Sequence, residues 1–88
     1  MPIIFCRFNL GDLRQSVYLV QGEQMEFLGE IETESLPNFI AFHCDTHKTT
    51  KLTLSGPTEY VEHIGYEVRR NAHANFGLND LDIEYINE

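Results

Sequence analysis

An 88-residue chain with fourteen acidic and six basic side chains carries a formal net charge of −8 and has room for one hydrophobic core. That sign disfavours direct contact with phosphate backbones or anionic lipid and leaves a basic protein surface as the natural electrostatic partner. Six Phe, four Tyr and two cysteines without a C-x-x-C, and no apolar run near the roughly 20 residues of a membrane span, exclude disordered, transmembrane and disulfide-scaffold classes.

"PIIFCRF" at 2–8 is β-branched and aromatic and predicts a first strand. Arg7 interrupts its apolar run and no basic leader precedes it, so a signal peptide is not expected and a cytoplasmic protein is, within a host cell if the chain is phage-encoded. "NLGD" at 9–12 turns the chain, "RQSVYLVQ" at 14–21 gives a second strand, and "QGE" at 21–23 turns it again. In "QMEFLGEI", 24–31, Met25, Phe27, Gly29 and Ile31 alternate with Glu26, Leu28 and Glu30, which predicts a half-exposed third strand and an antiparallel meander.

The period then changes. Leu36, Phe39, Ile40, His43 and Cys44 recur at helical spacing over 35–47, with Ser35 as N-cap and Pro37 in the first turn. "TTKLTLS" at 49–55 is a short strand. The stretch 57–74 is the clearest helix, with Tyr60, Val61, Ile64, Gly65, Val68 and Ala72 in one stripe. Gly65 on that stripe lets the helix backbone approach the sheet closely, and Gly77 is a terminator. "DLDIEYI" at 80–86 alternates as the last strand. The expected core includes Ile4, Cys6, Tyr18, Phe39, Ile40, Leu54, Val61, Ile64, Val68 and Ile83, with both cysteines as reduced, buried thiols.

The order βββαβαβ in one domain, residues 1–88, resembles the ribonuclease H-like fold across the whole chain. That resemblance implies an α+β (mixed α/β) protein with a five-stranded mixed sheet of order 3-2-1-4-5 and two helices. It implies no nuclease chemistry. Members that cleave phosphodiesters converge acids from the first strand, the first helix and the end of the fourth strand on two metal ions. Here the first strand, Pro2 to Phe8, contains no acid and the fourth ends in Leu54 and Ser55, so Asp45 alone matches a position.

"TLSGPTEY" at 53–60 joins a strand to a helix through a glycine turn, where backbone amides can hold phosphate. Pro57 removes one amide, Glu59 places a negative charge in the first turn, and no Lys follows Gly56 as in a P-loop, so the segment is expected to be a helix start only. In "HCDTH", His43 and His47 lie four apart, the spacing that chelates a transition metal, but a complete ligand set would need His63 or His73 from the other helix. The preferred reading is structural, with His43 on the apolar stripe and His47 near the helix C-terminus, and no cofactor or metal is assigned.

The acids remain. Glu23, Glu26, Glu30, Glu32 and Glu34 follow one another without an intervening base, as do Asp80, Asp82, Glu84 and Glu88. In the 3-2-1-4-5 order they mark opposite edges of the sheet, where charge protects against unwanted strand pairing or steers docking. The expectation is therefore a small non-enzymatic interaction protein docking on a basic, nucleic-acid-binding protein surface. Glu26, Glu30, Glu32 and Glu34 would form the rim, and Phe27 or Leu28 the apolar anchor. An inhibitor generically similar to phage or mobile-element anti-defence proteins is one form of this. A metal protein or enzyme using His43 and His47, or a structural module, is the alternative.

Overall fold

Ile4 and Cys6 in one strand and Val17 and Leu19 in the next alternate with larger or polar neighbours, so one side of the sheet is predominantly apolar. The computed structural model, which describes residues 2–87, covers that side with two helices. Its elements are β1 (Ile3–Arg7), β2 (Arg14–Gln21), β3 (Gln24–Glu32), a 3₁₀ turn (Thr33–Ser35), α1 (Leu36–Thr46), β4 (Lys51–Gly56), α2 (Thr58–Phe76) and β5 (Asp82–Asn87). The five strands form one mixed sheet in the order β3-β2-β1-β4-β5. β1, β2 and β3 pair antiparallel, while β4 pairs parallel with β1 and with β5. This is the α+β arrangement expected from the element order, and that order is consistent with the ribonuclease H-like arrangement.

The core lies between sheet and helices. Ile4, Cys6, Val17, Leu19, Leu52 and Leu54 from the strands meet Leu36, Ile40, Ala41 and Cys44 of α1 and Val61, Ile64, Val68 and Ala72 of α2. Gly65 allows α2 to settle on β5: an added Cβ would lie 2.9 Å from Tyr85 Cζ and closer still to its hydroxyl. Gln15 is buried on the same side as Val17 without cost in unpaired groups. It accepts from the Asn9 N–H at 3.0 Å and donates to the Asn9 and Asp12 carbonyls at 3.2 and 3.1 Å, fastening the β1–β2 loop.

Four expectations need correction. Tyr18 does not join the helix-covered core: it pairs with Phe5 across β1–β2 and points to the opposite face. Tyr60 is exposed at the rim of the α2 stripe, stacked on Phe8 at 5.5 Å. Ser35 is the N-cap residue of α1 as expected, but its side chain makes no capping hydrogen bond, because the preceding 3₁₀ turn holds its backbone in the helical rather than the extended region. Pro57 is the N-cap residue of α2, not its first residue, and its carbonyl accepts from the Tyr60 and Val61 amides at 3.0 Å.

The largest departure is in β3. Val17 pairs with Gly29, but Tyr18 pairs with Phe27, so Leu28 is an extra residue in a β-bulge. The predicted stripe Met25, Phe27, Gly29, Ile31 is therefore split. Gly29 and Ile31 face the helices opposite Val17 and Gln15, with the Phe39 ring seated where a Gly29 side chain would be. Met25 and Phe27 face the other way, opposite Val20 and Tyr18.

Candidate protein-docking face

The side of the sheet without helices displays Ile3, Phe5 and Arg7 of β1, Arg14, Ser16, Tyr18 and Val20 of β2, and Met25, Phe27, Glu30 and Glu32 of β3. β4 and β5 add Lys51, Asp82, Glu84 and Ile86, around Thr53 and Ser55, which point the same way but are buried. An aromatic run crosses three strands. Phe5 and Tyr18 have ring centroids 6.5 Å apart, tilted by 43°, and Tyr18 meets Phe27 edge-on at 5.7 Å and 60°. These arrangements satisfy the ring quadrupoles and hold the rings in place. Phe27 is nevertheless 57% exposed and Met25 beside it 55%.

Charge frames the run. Arg14 Nε stands 3.7 Å from Glu30 Oε1, and Arg7 and Arg14 help to line a shallow groove of about 420 Å³ together with Phe5, Tyr18, Met25 and Glu30. At the other edge, Lys51 Nζ donates to Asp82 Oδ2 at 2.7 Å. That hydrogen bond, with the opposite charge behind it, raises the Lys51 pKa and lowers that of Asp82. Neither acidic edge is bare: each takes a base from the neighbouring strand, which spacing along the chain does not reveal.

The residues expected to form the docking site are only partly brought together. Phe27, Glu30 and Glu32 share the open face. Leu28, at the bulge, is half-buried against the core and cannot serve as a free anchor. Glu26 pairs with Leu19 and so points to the helix side of the sheet, and Glu34 is exposed in the 3₁₀ turn. Glu23 lies in the β2–β3 turn and Asp80 in the α2–β5 loop, while Glu88 is outside the described residues. Phe5, Tyr18, Met25, Arg7 and Arg14 were not anticipated. Their signal was present in the off-phase aromatics of β1 and β2, which make sense only if the second side of the sheet is also partly apolar.

The other candidates resolve as follows. His43 Nδ1 and His47 Nε2 are 3.4 Å apart, with the rings nearly parallel at 13°. Burial, and then the neighbouring His47 charge, lower the His43 pKa. His63 and His73 of α2 do not join them: His73 bonds Asn79, and among the described residues no three His, Cys, Asp or Glu side chains converge as a metal site. Asp45 is half-buried in the last turn of α1. Cys6 and Cys44 are free, buried thiols, pushed up to about 12 by burial. Among the described residues no helix is long and apolar enough to cross a membrane.

No protein-family model and no curated protein matches the sequence. Among solved structures, the chain is similar to the Aquifex aeolicus PPX-GPPA enzyme, with a TM-score of 0.45 and 10% identity. The match covers 99% of this chain but only 36% of that one. Neither activity nor ligand follows from a likeness of that size.

Proposed function

We propose that this chain is a binding module that docks a basic protein surface through the helix-free face of its sheet. The observation that carries this reading is the Phe5–Tyr18–Phe27 run on the helix-free face, half-buried at Phe5 and Tyr18 and exposed at Phe27 and at Met25 beside it. Apolar patches rimmed by charge mark interaction sites, and aromatic side chains dominate their energetics. Glu30, Glu32 and Glu84 provide an acidic rim, and the net charge of −8 steers a basic partner toward it. A surface of this sign competes with nucleic acid for the same basic groove, so the finer form of the proposal is an inhibitor that covers a nucleic-acid-binding surface, as phage anti-defence proteins do.

The test measures association with a basic, nucleic-acid-binding protein from the source cell, using wild type, Phe27→Ser, Glu30→Lys and a Glu62→Lys control on exposed α2. Phe27→Ser should weaken binding by roughly tenfold or more, Glu30→Lys should slow association, and Glu62→Lys should change little. Affinity that is equal across all four proteins overturns the proposed face.

A further inference from the structure

The last turn of α1 carries a pair of imidazoles that the docking face does not use. His43 projects from within the helix and His47 caps its C-terminus, with the His47 N–H donating to the His43 carbonyl at 2.9 Å. One turn apart on one helix face, their rings lie side by side with centroids 5.4 Å apart. The two nitrogens that face each other, His43 Nδ1 and His47 Nε2, are separated by 3.4 Å. For a hydrogen bond this is long, since well-formed N–H bonds span about 2.7–3.2 Å.

It is, however, the separation a metal requires. Two nitrogens at about 2.0–2.1 Å from a zinc ion with tetrahedral angles stand about 3.3–3.4 Å apart. A right-angled octahedral or square-planar pair would bring them to about 2.8–3.0 Å at the same bond lengths. We propose that His43 and His47 form a two-histidine chelate for Zn²⁺ on the last turn of α1. The ion would be held by the lone pairs of the two facing nitrogens, with each neutral ring carrying its proton on the far nitrogen. Two water ligands leave the ion as the two Zn–N bonds form.

Three further features of the structure support the site. Phe39 packs edge-on against His43 at 4.5 Å and Phe42 at 5.3 Å, and Phe42 is itself braced by Phe76 at 6.2 Å. The first ligand is thus held in its chelating orientation before metal arrives, which reduces the ordering cost of binding. The site stands at the C-terminal, electronegative end of α1, where a cation is favoured. Both rings are only half-buried, so the pair is open to the ion and to other ligands. With no third His, Cys, Asp or Glu converging among the described residues, the remaining tetrahedral positions are filled by water or by a ligand from outside the chain. With two protein ligands the site has fewer than either the closed structural form, with four, or the open catalytic form, with three.

The experiment uses the full chain without a histidine tag, titrated with Zn²⁺ alone by calorimetry and with Co²⁺ as a tetrahedral reporter in absorption. One equivalent should bind, and Co²⁺ should show the intense visible bands of tetrahedral geometry. His43→Asn and His47→Asn should each weaken binding by roughly tenfold or more, while His63→Asn and His73→Asn should leave it unchanged. Because His43 is packed against aromatic rings, its variant could fold poorly. Imidazole ¹⁵N shifts of the wild-type protein supply a reading that needs no substitution: metal should move the His43 Nδ1 and His47 Nε2 resonances and no other histidine's. Absence of binding up to about 1 mM Zn²⁺, where even weak ligation raises the melting temperature by mass action, overturns the site. Binding that follows His63 or His73, or an octahedral Co²⁺ spectrum, does so equally.

Discussion

The phenol ring of Tyr85 in β5 stands over the backbone of Gly65 in α2, with no space between them for a methyl group. Glycine in a helix interior is ordinarily worse than alanine by up to about 1 kcal/mol, so replacing it usually stabilises. Here the sign should reverse. Gly65→Ala should cost about 1–3 kcal/mol by overpacking, measured by urea unfolding. Adding Tyr85→Phe should return part of that loss, because the hydroxyl is the atom nearest the new methyl. A more stable Gly65→Ala variant would show that α2 sits further from the sheet.

The α2 stripe runs from buried residues such as Ile64 to the peripheral Tyr60. Ile64 is 6% exposed within the core, and Ile64→Ala should cost roughly 2–5 kcal/mol. Tyr60, one turn earlier, is 46% exposed and touches the core only through its stack on Phe8. Tyr60→Ala should cost no more than about 1 kcal/mol, the range of one aromatic pair. Equal losses in the two variants would contradict the orientation of the helix.

Charge reversal in β3 should have unequal effects at two positions that sequence alone groups together. Glu30 is on the open face and Glu26 on the side of the helices. Glu30→Lys should therefore slow association with a basic partner and flatten its salt dependence more than Glu26→Lys does. Folding stability should shift by no more than about 1 kcal/mol in either variant, since the Arg14–Glu30 pair is solvent-exposed. The double variant Asp82→Lys, Glu84→Lys reports whether the β5 edge also contributes. If every reversal associates as wild type does, the acids are solvation alone.

Burial of Cys6 and Cys44 raises both thiols from 9.0 to about 12. At pH 8 the native protein should react with iodoacetamide more than roughly 100-fold more slowly than the same chain in guanidinium, because the thiolate is the nucleophile. The linkage has a fixed sign. A folded-state pKa above the unfolded one contributes stability that is complete below the unfolded value and is lost as pH rises toward the folded value. Unfolding midpoints should fall between about pH 9 and pH 12, and less steeply in a Cys6→Ala, Cys44→Ala chain, as urea titrations at a series of pH values would show.

Most of the architecture was legible because each element carries its own period. Val61, Ile64, Val68 and Ala72 repeat as a helix does, and Leu52 and Leu54 alternate as a strand does, so element order and sheet order follow from pattern and connection rules. The candidate face was less legible for two physical reasons. Leu28 is an unmatched residue, and periodicity read along a strand assumes that none exists; the bulge moves Met25 and Phe27 to the side opposite Gly29 and Ile31. The second reason is that cross-strand neighbours are remote in sequence. Arg14 and Glu30, or Lys51 and Asp82, meet only after the sheet forms, so an acidic run in the chain does not remain an unpaired acidic surface in the fold. Tyr18 is a parallel case: an aromatic in a strand suggests the core, but its alternation with Val17 and Leu19 requires the other side.

Helices on only one side of the sheet have a calorimetric consequence. Water in the free molecule remains in contact with Phe27, Met25 and part of Tyr18, and that hydration contributes heat capacity. A partner that covers the face releases this water, so its association should carry a negative heat-capacity change and an enthalpy that becomes more favourable on warming. Docking held by rim charges alone would show little of either. The temperature dependence of the binding enthalpy therefore reports directly whether the aromatic run is buried in the complex.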